Sequence, residues 1–395
     1  MPRRLLLLPV ELRHAPSRRF QYLREGTPAA AGAWPQVVAH PSVLERSGGR
    51  WRARRLFPCL LLVACSCAVP GGHVGPLTGV TRCARTLKPL SDPDPKVNAY
   101  LQRYNFPADP FPWRLEPLGE TEHFRVYHLT YPSPRVYQLA EANTVHGEYY
   151  LPQRLEGRAP AVVVLDILDG RLVVARLVCR HFAAAGIPSL IVKMPYYGER
   201  RPTGASLRSV FMDKPQRMLE AMEGTVVDVR RAACWLQARR EVDPARIGIL
   251  GVSLGGMVAA LVAGVDPRFS RNVIVLGGGD PVGVLWHAPE TREVRERLAA
   301  LGYTPERLRE EARSFDPLTF ARRADPKTVL MMNAANDETV PRQSTMALWE
   351  AFGKPAIRWY PAGHYTMALF IPAILPSAAQ FILDAPVERR TKPQP

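Results

Sequence analysis

Three polar residues of the chain follow one another in the order Ser253, Asp337 and His364, each just after a short apolar run. A serine hydroxyl becomes a strong nucleophile when an imidazole accepts its proton, and a carboxylate orients that imidazole and stabilises its charged form. These residue types therefore predict acyl transfer. Ser253 would attack a carbonyl carbon, His364 would carry the proton, and Asp337 would hold His364.

Ser253 lies at the centre of the segment Gly251-Val-Ser-Leu-Gly255. The segment 246–250 before it, which is apolar after Arg246, predicts a buried strand, and the small apolar residues 256–264 after it predict a helix. A sharp strand-to-helix turn needs glycine on both sides of the serine, because a Cβ there would collide with the neighbouring backbone. The Gly-x-Ser-x-Gly frame alone is common by chance. The strand–turn–helix context favours a nucleophile.

The acid and the base are predicted in loops that follow two later strands. Asp337 comes after the apolar residues 328–333, and His364, the only histidine after that acid, comes after residues 357–360. Taken singly, Asp337 is also typical of a turn and His364 of a helix start. Glu338 is an alternative acid.

Predicted strands and helices alternate along the chain. The strands are predicted at residues 124–131, 143–152, 161–165, 189–194, 246–250, 272–276, 328–332 and 356–360, and the main helices at 172–185, 215–240, 256–264, 343–352 and 366–383. This alternation predicts a doubly wound α/β fold with a mostly parallel sheet. Parallel strands bring their following loops to one edge of the sheet, so the three polar residues are expected to meet there.

Residues 280–315 interrupt the alternation. They contain two charged, helix-prone segments, 290–301 and 305–313, with no strand between them. We expect a small helical cap inserted into the fold. A solvated helical excursion is the alternative reading of the same charges.

The elbow Gly251–Gly255, the acid loop Asn336-Asp-Glu-Thr-Val-Pro341 and the segment Ala362-Gly-His364 resemble α/β-hydrolase fold enzymes, in the dienelactone-hydrolase-like and acetyl-xylan-esterase-like branch. The resemblance covers about residues 143–383. It implies an eight-stranded, mostly parallel sheet and ester hydrolysis through an acyl-enzyme, without metal or cofactor. The Asp-x-x-Val-Pro spacing also favours Asp337 over Glu338.

Such enzymes often carry a His-Gly pair after the strand that corresponds to residues 161–165, and a backbone amide just past it binds the oxyanion. Here the loop reads Asp166-Ile-Leu-Asp-Gly-Arg171. A backbone donor needs no particular side chain, so Leu254 N–H together with Ile167 or Leu168 N–H is predicted to form the oxyanion hole. Asp166 is a departure from the pattern, because it would add a negative charge near a developing anion.

The segment Met194-Pro-Tyr-Tyr-Gly-Glu-Arg-Arg-Pro202 follows another predicted strand. Tyr196 and Tyr197 are candidates for the wall of the substrate pocket, and Arg200 or Arg201 for binding an anionic substrate group. The alternative is a structural turn in which Glu199 pairs with an arginine.

The formal charge of the chain is +16, and half of this excess lies in the first 60 residues. No basic helix with interleaved aromatic residues is apparent, which argues against a nucleic-acid partner. The six cysteines show neither metal-ligand spacing nor a disulfide framework, and Cys179 and Cys234, in helical patterns, are expected to be buried thiols.

Basic residues 50–55, apolar residues 56–64 and the sequence Leu62-Val-Ala-Cys65 resemble a bacterial lipoprotein signal, with Cys65 as the lipidated residue. Some fifty residues precede this signal, so either translation starts near residues 37–44 or the resemblance is accidental. We expect an exported, membrane-anchored protein, with a cytoplasmic protein as the alternative.

The predicted organisation is a basic segment with the signal at 1–65, a linker at 66–94, a hydrolase domain at 95–386 and a tail at 387–395. The function favoured by the sequence is a serine hydrolase that acts on a small-molecule carboxylic ester. A serine peptidase of the same fold, and an inactive membrane-tethered binding protein, are the alternatives.

Overall fold

A computed structural model describes residues 75–83, 87–214 and 216–384, and the structural statements below concern these residues. The predicted signal with Cys65, the other residues before 75 and the tail 387–395 lie outside the described residues.

The described strands form one sheet. They are β1 (Leu77–Thr81), β2 (Phe111–Glu120), β3 (Phe124–Pro132), β4 (Thr144–Pro152), β5 (Ala159–Leu165), β6 (Ser189–Val192), β7 (Val242–Val252), β8 (Phe269–Val275), β9 (Val329–Ala334) and β10 (Ala356–Tyr360). Their order is β1-β2-β3-β4-β6-β5-β7-β8-β9-β10. The pairs from β6 to β10 are parallel, and those from β1 through β4 to β6 are antiparallel. The predicted mostly parallel sheet is confirmed.

Helices cover both faces of this sheet. They are α1 (Pro95–Leu101), α2 (Val173–Ala184), α3 (Leu207–Asp213), α4 (Gln216–Gln237), α5 (Leu254–Val265), α6 (Pro281–His287), α7 (Arg292–Ala300), α8 (Pro305–Ala312), α9 (Pro317–Phe320), α10 (Arg342–Ala351) and α11 (Ile371–Leu383). Short 3-10 helices include Gly198–Arg200, Pro289–Thr291 and Thr366–Phe370. Helices lie over both faces, and the apolar residues 161–165 of the central strand β5 are accordingly fully buried.

The expected number of eight strands is wrong, since the sheet of the described residues has ten. The two additional strands, β1 and β2, extend its antiparallel end. Two prolines and a glycine interrupt β2, and β1 is short and mostly exposed, so neither shows the alternation of apolar and polar residues that reveals a half-buried strand. Part of the predicted linker at 66–94 therefore belongs to the sheet.

A disulfide between Cys83 and Cys234 joins the segment after β1 to α4 across 151 residues of sequence. The expectation that Cys234 is a free buried thiol and that no disulfide forms is therefore wrong, whereas Cys179 is free and buried. A pairing over such a separation leaves no local sequence signal, because only the tertiary fold brings the two sulfur atoms together.

The insertion predicted at 280–315 consists of α6, α7 and α8. Leu298 of α7 and Leu308 of α8 are buried in the main apolar core. The insertion is thus a helical cap packed on the fold, with its charged side chains facing outward.

One described segment, Thr366–Leu383, is long and apolar enough to cross a membrane, with a mean hydropathy of 1.7. Its residues Ile374, Leu375, Ala378 and Ile382 are buried in the apolar core beside the sheet, and 33% of the segment is buried overall. Length and composition therefore do not make this segment a membrane span.

Candidate active site

Ser253 forms the turn between β7 and α5, and its backbone is in an unusual conformation with φ 55° and ψ −117°. Two glycines make this turn possible. A Cβ on Gly251 would lie 2.0 Å from the carbonyl oxygen of Gly255, and a Cβ on Gly255 would lie 2.5 Å from that of Leu165. The crowded turn raises the serine side chain above the carboxyl edge of the sheet.

The three polar residues from separate loops are in contact. Ser253 Oγ lies 2.9 Å from His364 Nε2, and His364 Nδ1 lies 3.0 Å from each carboxylate oxygen of Asp337. A carboxylate only accepts hydrogen bonds, so Nδ1 carries the proton, and Nε2 is left to accept the serine hydroxyl. This is the arrangement in which a histidine can act as a base toward a serine.

The Asp337 carboxylate is itself fixed in place. Its Oδ1 accepts hydrogen bonds from Thr339 N at 2.9 Å and from Val340 N at 2.8 Å. Glu338, the alternative acid, contacts the backbone instead, because its Oε2 accepts a hydrogen bond from His364 N at 2.9 Å. Asp337 therefore orients the imidazole ring, whereas Glu338 positions the main chain that carries it.

Ser253 and His364 open onto a cavity of about 530 Å³. The cap contributes Val284, Leu285 and Ala288 to its wall, and α4 contributes Met218 and Met222. Further apolar side chains come from α2, from the 3-10 helix at Thr366–Phe370 and from α11, among them Val174, Leu177, Val178, Met367, Ile371, Ile374 and Leu375. The sequence indicated these helices but gave no sign that their faces converge on one space.

The sequence and the fold are similar to those of known proteins. Residues 138–282 match the family model "Alpha/beta hydrolase domain containing 18", and residues 216–359 match that of the prolyl oligopeptidase family. Acetyl xylan esterase 1 from Thermoanaerobacterium sp. JW/SL YS485 has a similar structure, with a TM-score of 0.57, 19% identity and coverage of 74% of this chain and 95% of the esterase. The chain has the α/β-hydrolase fold.

Other relatives agree with this assignment of fold. The acetyl xylan esterase from Paenibacillus sp. R4 has a TM-score of 0.55 and 18% identity, and the match covers 73% of this chain and 95% of the esterase. Uncharacterized proteins of Mycobacterium tuberculosis, from strains CDC 1551 / Oshkosh and ATCC 25618 / H37Rv, are 27% identical over 213 residues, which is 51% of this chain and 50% of each relative. The match to these curated relatives thus spans about half of their length.

The predicted oxyanion-hole donors lie around the same cavity. Leu254 is the first residue of α5, so its N–H has no carbonyl partner within the helix. Ile167 and Leu168 line the cavity together with Ser253 and Leu254. The Ile167 carbonyl accepts hydrogen bonds from Asp169 N at 2.9 Å and from the Tyr197 hydroxyl at 3.1 Å, which hold this loop in place. The second donor stays a prediction, with the backbone N–H groups of Ile167 and Leu168 as the two candidates.

Asp166 does not line the cavity. Its carboxylate is buried and accepts hydrogen bonds from Leu172 N at 2.8 Å and Ala175 N at 3.1 Å, at the start of α2. Burial raises the pKa of this carboxyl group. The Asp166 carboxylate is therefore directed at backbone N–H groups at the start of α2 and not into the cavity beside Ser253.

Tyr196, Tyr197 and Arg200 do not line the cavity either, so their assignment to the substrate pocket is wrong. The Tyr196 hydroxyl donates to Glu220 at 2.9 Å, and Tyr197 supports the loop of Ile167. The end of β6 predicts that the following loop lies at the carboxyl edge of the sheet. The loop turns inward at Tyr196, where φ is 71°, and the side chains of Tyr196 and Tyr197 are buried in the fold.

Arg200 is fully buried and binds no substrate group. Its guanidinium donates to Asp228 at 2.8 Å and to the carbonyl oxygens of Lys193 and Ala142 at 2.8 Å and 2.6 Å. Glu199 pairs with Lys193 at 2.7 Å rather than with an arginine. The segment is therefore a structural turn that ties the end of β6 to α4.

Sequence reasoning missed the polar contacts at the mouth of the cavity. Glu290 of the cap accepts hydrogen bonds from the hydroxyls of Tyr365 and Thr339, the latter at 3.2 Å. Tyr365 directly follows His364 in the sequence, and this position was the one available sign that Tyr365 lies beside the site. These contacts connect the cap to both loops that carry the acid and the base.

His128, His146 and Glu199 form the one group of possible metal ligands found among the described residues, with ligand atoms within 4.8 Å of one another. His128 Nε2 and His146 Nδ1 are 3.0 Å apart, and Lys193 Nζ donates to both Glu199 oxygens. Burial lowers the pKa of His146 to about 4, which keeps it neutral. The Lys193 ammonium already pairs with the Glu199 carboxylate, so the cluster is explained as a hydrogen-bonded polar network without a metal ion.

Proposed function

We propose that this protein is a serine hydrolase that cleaves carboxylic esters through an acyl-enzyme. The observation that carries the proposal is the continuous contact from Ser253 Oγ through the His364 ring to the Asp337 carboxylate, at the mouth of an apolar cavity. No metal or cofactor is needed for this chemistry.

The geometry supports a two-step reaction. Ser253 Oγ attacks the ester carbonyl while His364 Nε2 takes its proton, and the imidazolium is stabilised by Asp337. The oxyanion is held by Leu254 N–H and by Ile167 or Leu168 N–H. His364 then returns the proton to the departing alkoxide, and a water molecule, activated by the same imidazole, releases the acid.

A serine peptidase is the second candidate, because the prolyl oligopeptidase family model matches the segment with Ser253 and Asp337. Two structurally similar proteins are acetyl xylan esterases, which favours ester cleavage. The third candidate, an inactive binding protein, was suggested by Asp166. The contacts of that carboxylate with α2 remove the reason for it.

A fluorophosphonate probe tests the proposal. We expect covalent labelling of the wild-type protein and of a Ser209→Ala control, and no labelling of Ser253→Ala. Turnover of p-nitrophenyl acetate is expected to fall by about 10³-fold or more in Ser253→Ala. A folded wild-type protein that resists labelling contradicts the proposal. Preference for a panel of peptide p-nitroanilides over esters would favour the peptidase.

A further inference from the structure

We propose that the substrate is an ester with an apolar acyl chain of about eight carbons or more, since an apolar cavity of ~150 Å³ already holds a six-carbon ring. This inference rests on the proposed function and names its substrate class. The acyl chain would fill the cavity beside Ser253, with the ester carbonyl at the serine hydroxyl.

The first argument is the size and composition of the cavity. Its volume of about 530 Å³ is several times the space that an acetyl group fills. The walls come from the apolar side chains of four separate segments, represented by Leu177, Met218, Leu285 and Ile374. An acetyl ester would leave most of this apolar surface in contact with water, whereas each methylene of a longer chain gains about fourfold in binding.

The second argument is that the polar side chains around the cavity are already bonded to one another. Asp169 pairs with Arg171 at 2.9 Å, and Ser253 contacts His364 at 2.9 Å. The Thr291 hydroxyl donates to the carbonyl oxygen of Leu285 at 2.6 Å.

The same holds at the rim, where Glu290 accepts from Thr339 and Tyr365. A sugar or a charged acyl group would need free donors and acceptors. Among the described residues that line the cavity, each polar side chain already has a protein partner. An alkyl chain needs none.

The third argument is the apolar surface around the opening. Leu168, Leu177 and Tyr365 line the cavity and are nevertheless 36%, 41% and 61% exposed. Soluble proteins seldom gather large exposed apolar side chains at one place without a binding role. An acyl chain too long for the cavity would then lie against this apolar surface instead of extending into water.

A chain-length series tests the inference. The rate constants kcat/KM are compared for p-nitrophenyl acetate, butyrate, octanoate and dodecanoate below their critical micelle concentrations. We expect an increase of at least about 100-fold from acetate to octanoate, which is less than six fully buried methylenes would give. A constant or falling kcat/KM overturns the inference.

A paired variant locates the effect in the cavity. Met218→Gln combined with Leu177→Gln keeps the side-chain size but makes two wall positions polar. We expect the ratio of kcat/KM for the octanoate to kcat/KM for the acetate to fall about tenfold. Leu118→Gln, at an exposed leucine of β2 outside the cavity, serves as the control. Equal losses for both esters overturn the assignment of the chain to this cavity.

Binding of dodecanoate to Ser253→Ala, measured by calorimetry against acetate, separates the inference from the proposed function. Cleavage of p-nitrophenyl acetate by Ser253 with neither a chain-length gain nor dodecanoate binding overturns the inference alone. Absence of cleavage for every ester by a folded protein overturns both, even if dodecanoate binds. Binding together with the chain-length gain supports both.

Discussion

His364 is held by two neighbouring acidic residues that have different tasks. Asp337 binds the ring through Nδ1, and Glu338 binds the backbone N–H of the same histidine. The sequence left both as candidates for the acid, and the family-like Asp-x-x-Val-Pro spacing favoured the first. The contacts explain that spacing, because Thr339 N and Val340 N anchor the Asp337 carboxylate.

The roles of the two acids predict different kinetic effects. Asp337→Asn keeps the side-chain shape but lets the wrong imidazole tautomer form, and we expect kcat to fall by about 10⁴-fold. Glu338→Gln keeps an oxygen that can accept from His364 N, so its loss should stay within about tenfold. Steady-state kinetics on a p-nitrophenyl ester measure both, and equal losses would contradict the assignment of the acid to Asp337.

The turn at Ser253 depends on the absence of a side chain at Gly255. We expect Gly255→Ala to lower the free energy of unfolding by about 1–3 kcal/mol, because its Cβ meets backbone that cannot yield without cost. Ester hydrolysis should fall as the elbow shifts. Gly119→Ala is the control, since nothing lies within 4 Å of its Cβ position. Urea unfolding that shows no difference between the two variants would refute this explanation of the elbow glycine.

At the scale of elements, the loop after β6 shows that the location of a loop does not determine the direction of its side chains. The sequence places this loop at the carboxyl edge of the sheet, where substrate-binding loops occur. Tyr196 and Arg200 nevertheless point into the fold, because Arg200 satisfies the buried carboxylate of Asp228 on α4. A buried charge without its partner is costly, so this pair determines the course of the loop.

Breaking that pair should destabilise the fold. We expect Arg200→Met to lower the free energy of unfolding by about 3–5 kcal/mol, because the Asp228 carboxylate would stay buried and unpaired. Guanidinium unfolding of Arg201→Met, the neighbouring arginine, provides the comparison and should change little. If Arg200→Met is as stable as the wild type, the ion pair does not hold the loop.

At the scale of the whole molecule, the Cys83–Cys234 disulfide joins the first described strand to the centre of the fold. We expect its removal by Cys83→Ser with Cys234→Ser to cost about 2–5 kcal/mol, since the bond closes a loop of 151 residues. Thermal unfolding of the double variant is compared with that of Cys179→Ala, which removes the buried free thiol. Unchanged melting on loss of the disulfide would contradict a stabilising role.

The disulfide also supports an extracytoplasmic location, because such bonds persist in oxidising compartments. We propose that the chain is exported and anchored through lipidated Cys65, as the Leu62–Cys65 sequence predicts. In a bacterial host with a lipoprotein pathway, mass spectrometry of the membrane fraction should find a chain that starts at modified Cys65. Cys65→Ala should remove the protein from that fraction. An unprocessed chain in the cytosol would refute the proposal.

Much of the arrangement of Ser253, Asp337 and His364 was predictable because it follows from local signals and one topological rule. Ser253, Asp337 and His364 each follow a continuous apolar run, and parallel strands deliver their loops to the same edge of a sheet. The eight predicted strands all appear. The two strands at the antiparallel end, β1 and β2, were missed because β1 is exposed and β2 carries prolines, so neither has a regular pattern of burial.

The sequence by itself determined the α/β architecture and the three residues that meet at its carboxyl edge, since strand periodicity and chain order act between near neighbours. The tertiary structure alone decided the direction of the Tyr196 loop, the partner of Cys234 and the walls of the cavity. These depend on how distant helices such as α2, α4 and α11 pack against one another. Such packing is set by the shape and volume of side chains far apart in sequence, which no local pattern encodes.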